Sequence, residues 1–390
     1  LQVEQSMEME NISSEGSLDF ERVPAEESTD FPNAEVARLV ANFFYAISSI
    51  IGIPGNLFVL LSILCFREMR TISNIYIFNL AIADLIYLLG TPLIIIKSVT
   101  KTWIFGNAIC KLYLTANGLS QFASAAFIGV LSFDRYLAVC RPVQATDWRT
   151  FRFALSISIV AWIMVAVESI PLFMAAQTVP GGDDDFQDCM IMWEMEPQSN
   201  ATTAEEESLE MEERRIFSRD LFVAYTFALS YLIPLIAIWI FYANIIQKMW
   251  ARRKHIWGRK KSMKRTTFRV SILGLAIVVS YTLCWAPFWS IQWAVVSNSV
   301  PYSEWLIISN LTAYVLQYIN SAANPFLYVF MSDAFKRNVA ALLRATSSYQ
   351  FRKPRSGLAG REEAVIFLKS ARTESSAVLD AEETTTAREL

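Results

Sequence analysis

The sequence predicts an all-α membrane protein, a seven-transmembrane helix bundle followed by a short amphipathic cytoplasmic helix. Three observations carry that expectation. Of 390 residues, 54% are hydrophobic and only 18% charged, with a mean hydropathy of +0.33; a soluble chain carries about 25% charged residues. The apolar residues fall in seven long blocks, each near or above the roughly 20 residues that cross a bilayer as a helix. The charges lie between the blocks and change sign from one connection to another. Together these exclude a disordered chain, a fibrous chain and a small disulfide scaffold. One His and five scattered Cys leave little material for a transition-metal site.

The blocks read as spans at 37–65, 74–98, 108–140, 153–176, 219–248, 268–297 and 304–330. Backbone groups in lipid must bond within their own segment, so the spans are helices. The alternating ten-residue strands of a membrane barrel are not visible. Pro54, Pro92, Pro171, Pro234, Pro287 and Pro325 fall inside the blocks. Membrane helices tolerate prolines where neighbours satisfy the carbonyls they free. An acidic tail over 1–36 precedes the bundle, which occupies 37–331. Beyond it, Phe335, Val339, Leu342 and Leu343 recur at helical spacing between Lys336, Arg337 and Arg344, an interfacial helix over 332–346. Residues 347–390, rich in Ser, Thr and Glu, read as a disordered tail.

Charge orients the bundle. Residues 1–35 hold ten acids and one base, and 177–215 hold twelve acids and two bases. Residues 248–265 hold nine bases and no acid, and Arg67, Arg70, Arg141, Arg149 and Arg152 mark two further basic connections. Positive connections stay in the cytoplasm. The amino terminus is therefore expected outside a plasma membrane and the tail inside. The sequons at Asn11 and Asn200 fall on the outer side; a third match, at Asn310, lies inside the last block and reads as chance. Cys110 and Cys189 both face the oxidising side, where disulfides persist. Closing so long a loop is worth roughly 4–5 kcal/mol on chain-entropy grounds. Cys65, Cys140 and Cys284 read as free thiols.

A polar side chain inside a membrane helix is costly and marks function by default. Asp84 lies deep in the second span, where Ser120, Ser124, Asn320 and Ser321 could complete an oxygen cage suited to a hard cation such as sodium. A protonated, hydrogen-bonded structural Asp fits as well. Asp134-Arg135-Tyr136 closes the third span, either as a local ion pair with directional guanidinium bonds or as an ordinary positive-inside anchor. Asn117, Gln121, Gln292, Asn310, Tyr314 and Tyr318 sit on the outer half of spans three, six and seven. They are candidate ligand contacts, or glue between helices.

Each span also carries a signature, in order: GNLFVL with Asn56, NLAIAD with Asp84, DRYLAVCRP with Arg135, Trp162, Pro234 followed by Tyr242, CWAPF with Trp285 and Pro287, and NPFLY with Asn324, Pro325 and Tyr328. With Trp103-Ile-Phe-Gly ahead of Cys110, these make residues 37–345 resemble the rhodopsin-like (class A) G protein-coupled receptors. SNIYIFNLAIAD, SFDRYLAV, YINSAANPFLY and MSDAFKR are most similar to the somatostatin, allatostatin C and opioid group of peptide receptors. The resemblance implies a receptor for an extracellular peptide, not an enzyme, acting on a heterotrimeric G protein of the inhibitory class. It also implies a switch built from Asp134, Arg135, Tyr136, Tyr242, Trp285, Pro287, Asn324, Pro325 and Tyr328, with helix six swinging outward at its inner end. Sodium at Asp84 would favour the inactive state as an allosteric modulator; no other metal and no cofactor is expected.

The chain departs from that group at informative positions. Its relatives pair a helix-three Asp with a basic ligand group, and the matching residue here is Asn117. Tyr281 replaces the usual Phe one turn before Trp285. Tyr318 stands where an opsin carries its retinal lysine, so an opsin reading fails. The acidic outer segments either attract a cationic ligand or form a solvated surface that touches nothing. The basic 248–265 connection suits a G protein or anionic membrane lipid. Ser347, Ser348, Ser370, Thr373, Ser375, Ser376 and Thr384–Thr386 suit receptor kinases and arrestin; no nucleic-acid partner is expected. A receptor for another peptide class is the nearest alternative. A transporter using Asp84 as an ion or proton site would show repeated halves, and none is visible. An intramembrane enzyme would need a nucleophile with a base, or paired acids; His255 lies in a connection and Glu168 is the other obvious membrane carboxylate.

Overall fold

The computed structural model describes residues 32–180, 187–192, 218–255, 261–297, 299–301, 303–331 and 336–337. Asn11, Asn200, most of the amphipathic segment 332–346 and the Ser/Thr-rich tail lie outside the described residues. The seven apolar blocks are helices: α1 (Pro32–Cys65), α2 (Ile72–Thr100, interrupted at Gly90), α3 (Gly106–Cys140), α4 (Phe151–Ala175, interrupted at Ser169), α5 (Ser218–Ala251), α6 (Lys261–Val296) and α7 (Glu304–Met331). All but α7 are long and apolar enough to cross a membrane. α7 is less apolar because Asn310, Gln317, Asn320 and Asn324 are buried along it.

The helix ends differ from the hydropathy reading for physical reasons. α1 starts at Pro32 rather than 37 because a carboxylate from α7 caps it. Glu304 Oε1 accepts from the Asn33 and Ala34 amides at 2.8 and 3.1 Å, and Oε2 accepts from Asn33 Nδ2 at 3.0 Å. Those amides belong to the first turn, where no intrahelical partner exists. α6 starts at Lys261 rather than 268, since Lys and Arg are good helix formers that hydropathy does not register. Two elements had no counterpart in the sequence reading: a short helix, Pro142–Trp148, and an antiparallel hairpin of β1 (Ala176–Pro180) and β2 (Gln187–Ile191). Thr178 pairs with Cys189 in that hairpin. Cys65, Cys140 and Cys284 form no disulfide among the described residues.

Three interior prolines explain particular cross-bundle hydrogen bonds. A proline lacks an N–H, so the carbonyl four residues earlier loses its helical donor. Pro325 frees the Ser321 carbonyl, which accepts from Asn56 Nδ2 of α1 at 3.1 Å. Pro234 frees the Ser230 carbonyl, inside a π-turn at Ala228–Leu232, and Tyr281 of α6 donates its hydroxyl there at 2.5 Å. Pro92 follows the same rule: Ser49 of α1 donates to the Leu88 carbonyl at 3.5 Å. These three acceptors are each met by a neighbouring rod, as an environment without water requires.

Packing is inverted relative to a water-soluble bundle. Ile159, Ile163, Met164 and Val167 of α4 and Ile233, Ile236 and Ile240 of α5 face outward, while Asp84, Asn56 and Asn324 are buried at 1% exposure or less. Small residues let the backbones close: a Cβ on Gly52 would stand 2.6 Å from Leu88 Cδ1 and 3.1 Å from the Ala322 backbone. Close approach through small residues is how helices associate where lipid offers no hydrophobic drive.

Candidate functional site

At one end of the bundle the chain builds a roofed cavity. Cys110, in the first turns of α3, is disulfide-bonded to Cys189 of β2 across 79 residues of sequence, with their Cα atoms 5.5 Å apart. The hairpin is stitched down a second time: Trp103 N–H donates to the Gln187 carbonyl at 2.6 Å, and Gln187 N–H to Thr102 Oγ1 at 3.0 Å. Cys189, Met190 and Ile191 thereby roof a cavity of about 110 Å³ whose walls come from α1, α2, α3, α5, α6 and α7. Asn117, Gln121, Gln292, Tyr314 and Tyr318 all line it. Asn310 does not: it lies four residues, about one turn, nearer the start of α7 and is buried at 1% exposure. Burial there also sets the Asn310 sequon inside a helix. Trp285 and Trp289 line the cavity with Phe288, and Trp285 stacks against Tyr281 at 5.8 Å between centroids.

Beneath the cavity, polar groups link the helices. Gln121 Nε2 donates to Ser230 Oγ at 2.8 Å, joining α3 to the π-turn of α5 that Tyr281 also holds. Asp84 lies further in. Its Oδ2 accepts from Asn324 Nδ2 at 2.8 Å, and its Oδ1 is buried without a hydrogen-bond partner. Ser321 faces the same carboxyl. Ser120 donates to the carbonyl of Ala83, the residue before Asp84 on α2, at 2.9 Å. Ser124 is buried one turn along α3. Asn320 Oδ1 accepts from Ser280 of α6 at 3.1 Å. The orphaned Oδ1 with the neighbouring hydroxyls is a donor set that fits a hard cation such as sodium.

At the opposite end, Asp134 gathers two cations and a hydroxyl. Arg135 is ion-paired with it, its Nε at 3.0 Å, and also meets Ser73. Ser73 Oγ donates to Asp134 Oδ2 at 2.9 Å, and Arg149 Nε donates to Oδ1 at 2.7 Å. Asp134 and Arg135 are only 3% and 6% exposed, which distinguishes them from a surface anchor. Tyr242 is buried beside α6, where Gly274 makes room: a Cβ there would lie 2.0 Å from the Tyr242 hydroxyl and 3.9 Å from Arg135 Cγ. Tyr328 is fully buried on α7. Tyr136 instead packs on Phe241 of α5, 5.4 Å between ring centroids. Pro287 and Pro325 lie within α6 and α7.

Residues 55–328 match the family described as 7 transmembrane receptor (rhodopsin family). This chain belongs to the rhodopsin family of seven-transmembrane receptors. Somatostatin receptor type 2 of Mus musculus is 34% identical to it, over 80% of this chain and 80% of the relative. Somatostatin receptor type 1 of Rattus norvegicus is 30% identical over 79% and 72%, and type 5 of Bos taurus 29% over 82% and 80%. These relatives are receptors, in line with the expectation that the chain is not an enzyme. Several partnerships in the receptor escaped sequence reading. Ser73 and Arg149 complete the Asp134 cluster, Asn324 donates to Asp84, and Trp162 Nε1 donates to Asn79 Oδ1 at 2.8 Å. Lys97 of α2 reaches Asp188, beside the disulfide, at 2.5 Å. Asp188 follows the Gly-Gly-Asp turn signal at 181–183, a cue that marks a hairpin.

Proposed function

We propose that this receptor sits in the plasma membrane with its amino end outside, binds an extracellular peptide at the disulfide-roofed cavity, and activates an inhibitory-class heterotrimeric G protein at the Arg135 end. The observation that carries the reading is its 34% identity, over 80% of both chains, to a receptor named for somatostatin. The acidic segments and sequons on one side, against the nine-base connection on the other, support the orientation. Peptide and G protein must prefer the same state, so each raises the affinity for the other. Arg135, freed from Asp134, would then face the partner. Sodium, held by Asp84 with Ser120 and Ser321, would favour the closed state. Asn117 supplies no charge for a basic ligand group, which favours a peptide class distinct from one that salt-bridges to helix three. Receptor kinases, arrestin and anionic lipid are further partners on the basic and Ser/Thr-rich side.

The test is a peptide library, with somatostatin-type peptides included, on cells expressing the full chain, read by inhibition of cAMP. An active peptide should lose its effect on Arg135→Ala while still binding at the surface. No response to any peptide, with the receptor present at the surface, would overturn the proposal.

A further inference from the structure

The cavity is lopsided in hydrogen-bond chemistry. Among its described lining residues, Trp285 Nε1, Trp289 Nε1, Gln292 Nε2 and Gln317 Nε2 are buried donors without a partner. Asn117 Oδ1 is a lining acceptor without one. An indole N–H can only donate. Gln317 is oriented by Tyr87, whose hydroxyl donates to its Oε1 at 3.0 Å and leaves the Nε2 side unmet. No Asp or Glu is among the described lining residues, and the charged one is Lys97, again a donor only. Asp188, next to the lining residue Cys189, is already taken up by Lys97 at 2.5 Å and by the Cys189 N–H at 2.7 Å. A buried donor left unmet is costly, so a group that satisfies several at once is strongly favoured there. An ammonium would meet a second cation and more donors.

We propose that the group this cavity receives from its ligand is a hydrogen-bond acceptor, a carboxylate or an amide carbonyl, and that it rejects an ammonium. The inference rests on the peptide-receptor reading and sharpens it. The acidic outer segments draw a cationic peptide toward the membrane, while the cavity takes that peptide's acceptor tip. Cation and acceptor are then read at different depths, and the neutral Asn117 suits such a division.

The probes are three small molecules sharing an indole: N-acetyltryptophan, with a carboxylate; N-acetyltryptophanamide, with carbonyls alone; and tryptamine, with an ammonium. The purified full-length receptor in lipid nanodiscs is heated with each at millimolar concentration. The acid or the amide should raise the melting temperature in a dose-dependent way and tryptamine should not. An acid more effective than the amide identifies a carboxylate as the favoured group; equal effects identify the carbonyl. If the acid leads, the double change Lys97→Gln with Asp188→Asn, which removes the ion pair without leaving a lone charge, should erase its lead. Gln292→Leu should weaken both acceptor probes. Stabilisation by tryptamine equal to either acceptor probe, or by none of the three, would overturn the inference. Acceptor preference without activation by any peptide would instead overturn the peptide reading alone.

Discussion

At the roofed end, Trp285, Trp289, Gln292 and Gln317 hold donors that meet nothing, whereas at the far end Asp134 is met by Arg135, Arg149 and Ser73. The first region gains bonds when something arrives. On the proposed switch, the second would lose bonds on opening. A two-state receptor needs that asymmetry: the free energy released at one end offsets what the other gives up, and each ligand shifts the equilibrium only by its differential affinity. The roof is fastened covalently and the ionic cluster only electrostatically, which suits the cluster to the proposed rearrangement.

Breaking the strap should have the largest effect. Cys189→Ser removes roughly 4–5 kcal/mol of loop constraint, and surface expression, read by antibody against an amino-terminal tag on intact cells, should fall to a small fraction of normal. Normal expression and peptide binding would mean that the Trp103 and Thr102 bonds hold the hairpin without it. Next is Asp134→Asn, which strips the cluster of its carboxylate. Removing one member of a buried ion pair costs about 3–5 kcal/mol, and here the loss falls on the closed state. Nucleotide exchange on the G protein should rise in the absence of peptide. Unchanged basal exchange would show that something other than this cluster keeps that end shut. Tyr281→Phe takes the donor from the Ser230 carbonyl and should lower thermal stability by about 1–3 kcal/mol, measured by melting the purified receptor. No loss would mean that the π-turn satisfies its own carbonyl. The smallest structural effect belongs to Asp84→Asn, expected to move stability by less than about 1 kcal/mol because Asn324 keeps an acceptor. It should abolish the dependence of peptide affinity on sodium; a dependence that persists would remove the cation site from Asp84.

The sequence displayed the spans well because a bilayer imposes one strong requirement, apolar length, and seven blocks meet it. It displayed the pairings poorly. Arg149 and Ser73 reach Asp134 from 15 and 61 residues away, and nothing in local periodicity encodes that meeting. Asn324 was legible as polar and buried but not as the partner of Asp84, 240 residues distant. Four residues apart on α7, Asn320 bonds to Ser280 of α6 and Asn324 to Asp84 of α2, a division that local sequence does not show. The hairpin was obscured by its position inside a long acidic stretch, although Pro180-Gly181-Gly182-Asp183 is a turn signal. The early start of α1 was invisible for a different reason: its cap is contributed by the last span.

That cap decides where the chain enters the bundle. With Glu304 holding the amides of Asn33 and Ala34, α1 begins at the rim of the roofed end, where it meets α7. A peptide fused there through a flexible linker would be presented to its own receptor at a millimolar effective concentration. The first span thus doubles as an attachment point for tethered agonists, and a weak sequence, inactive when free in solution, could be selected by self-activation in a single polypeptide.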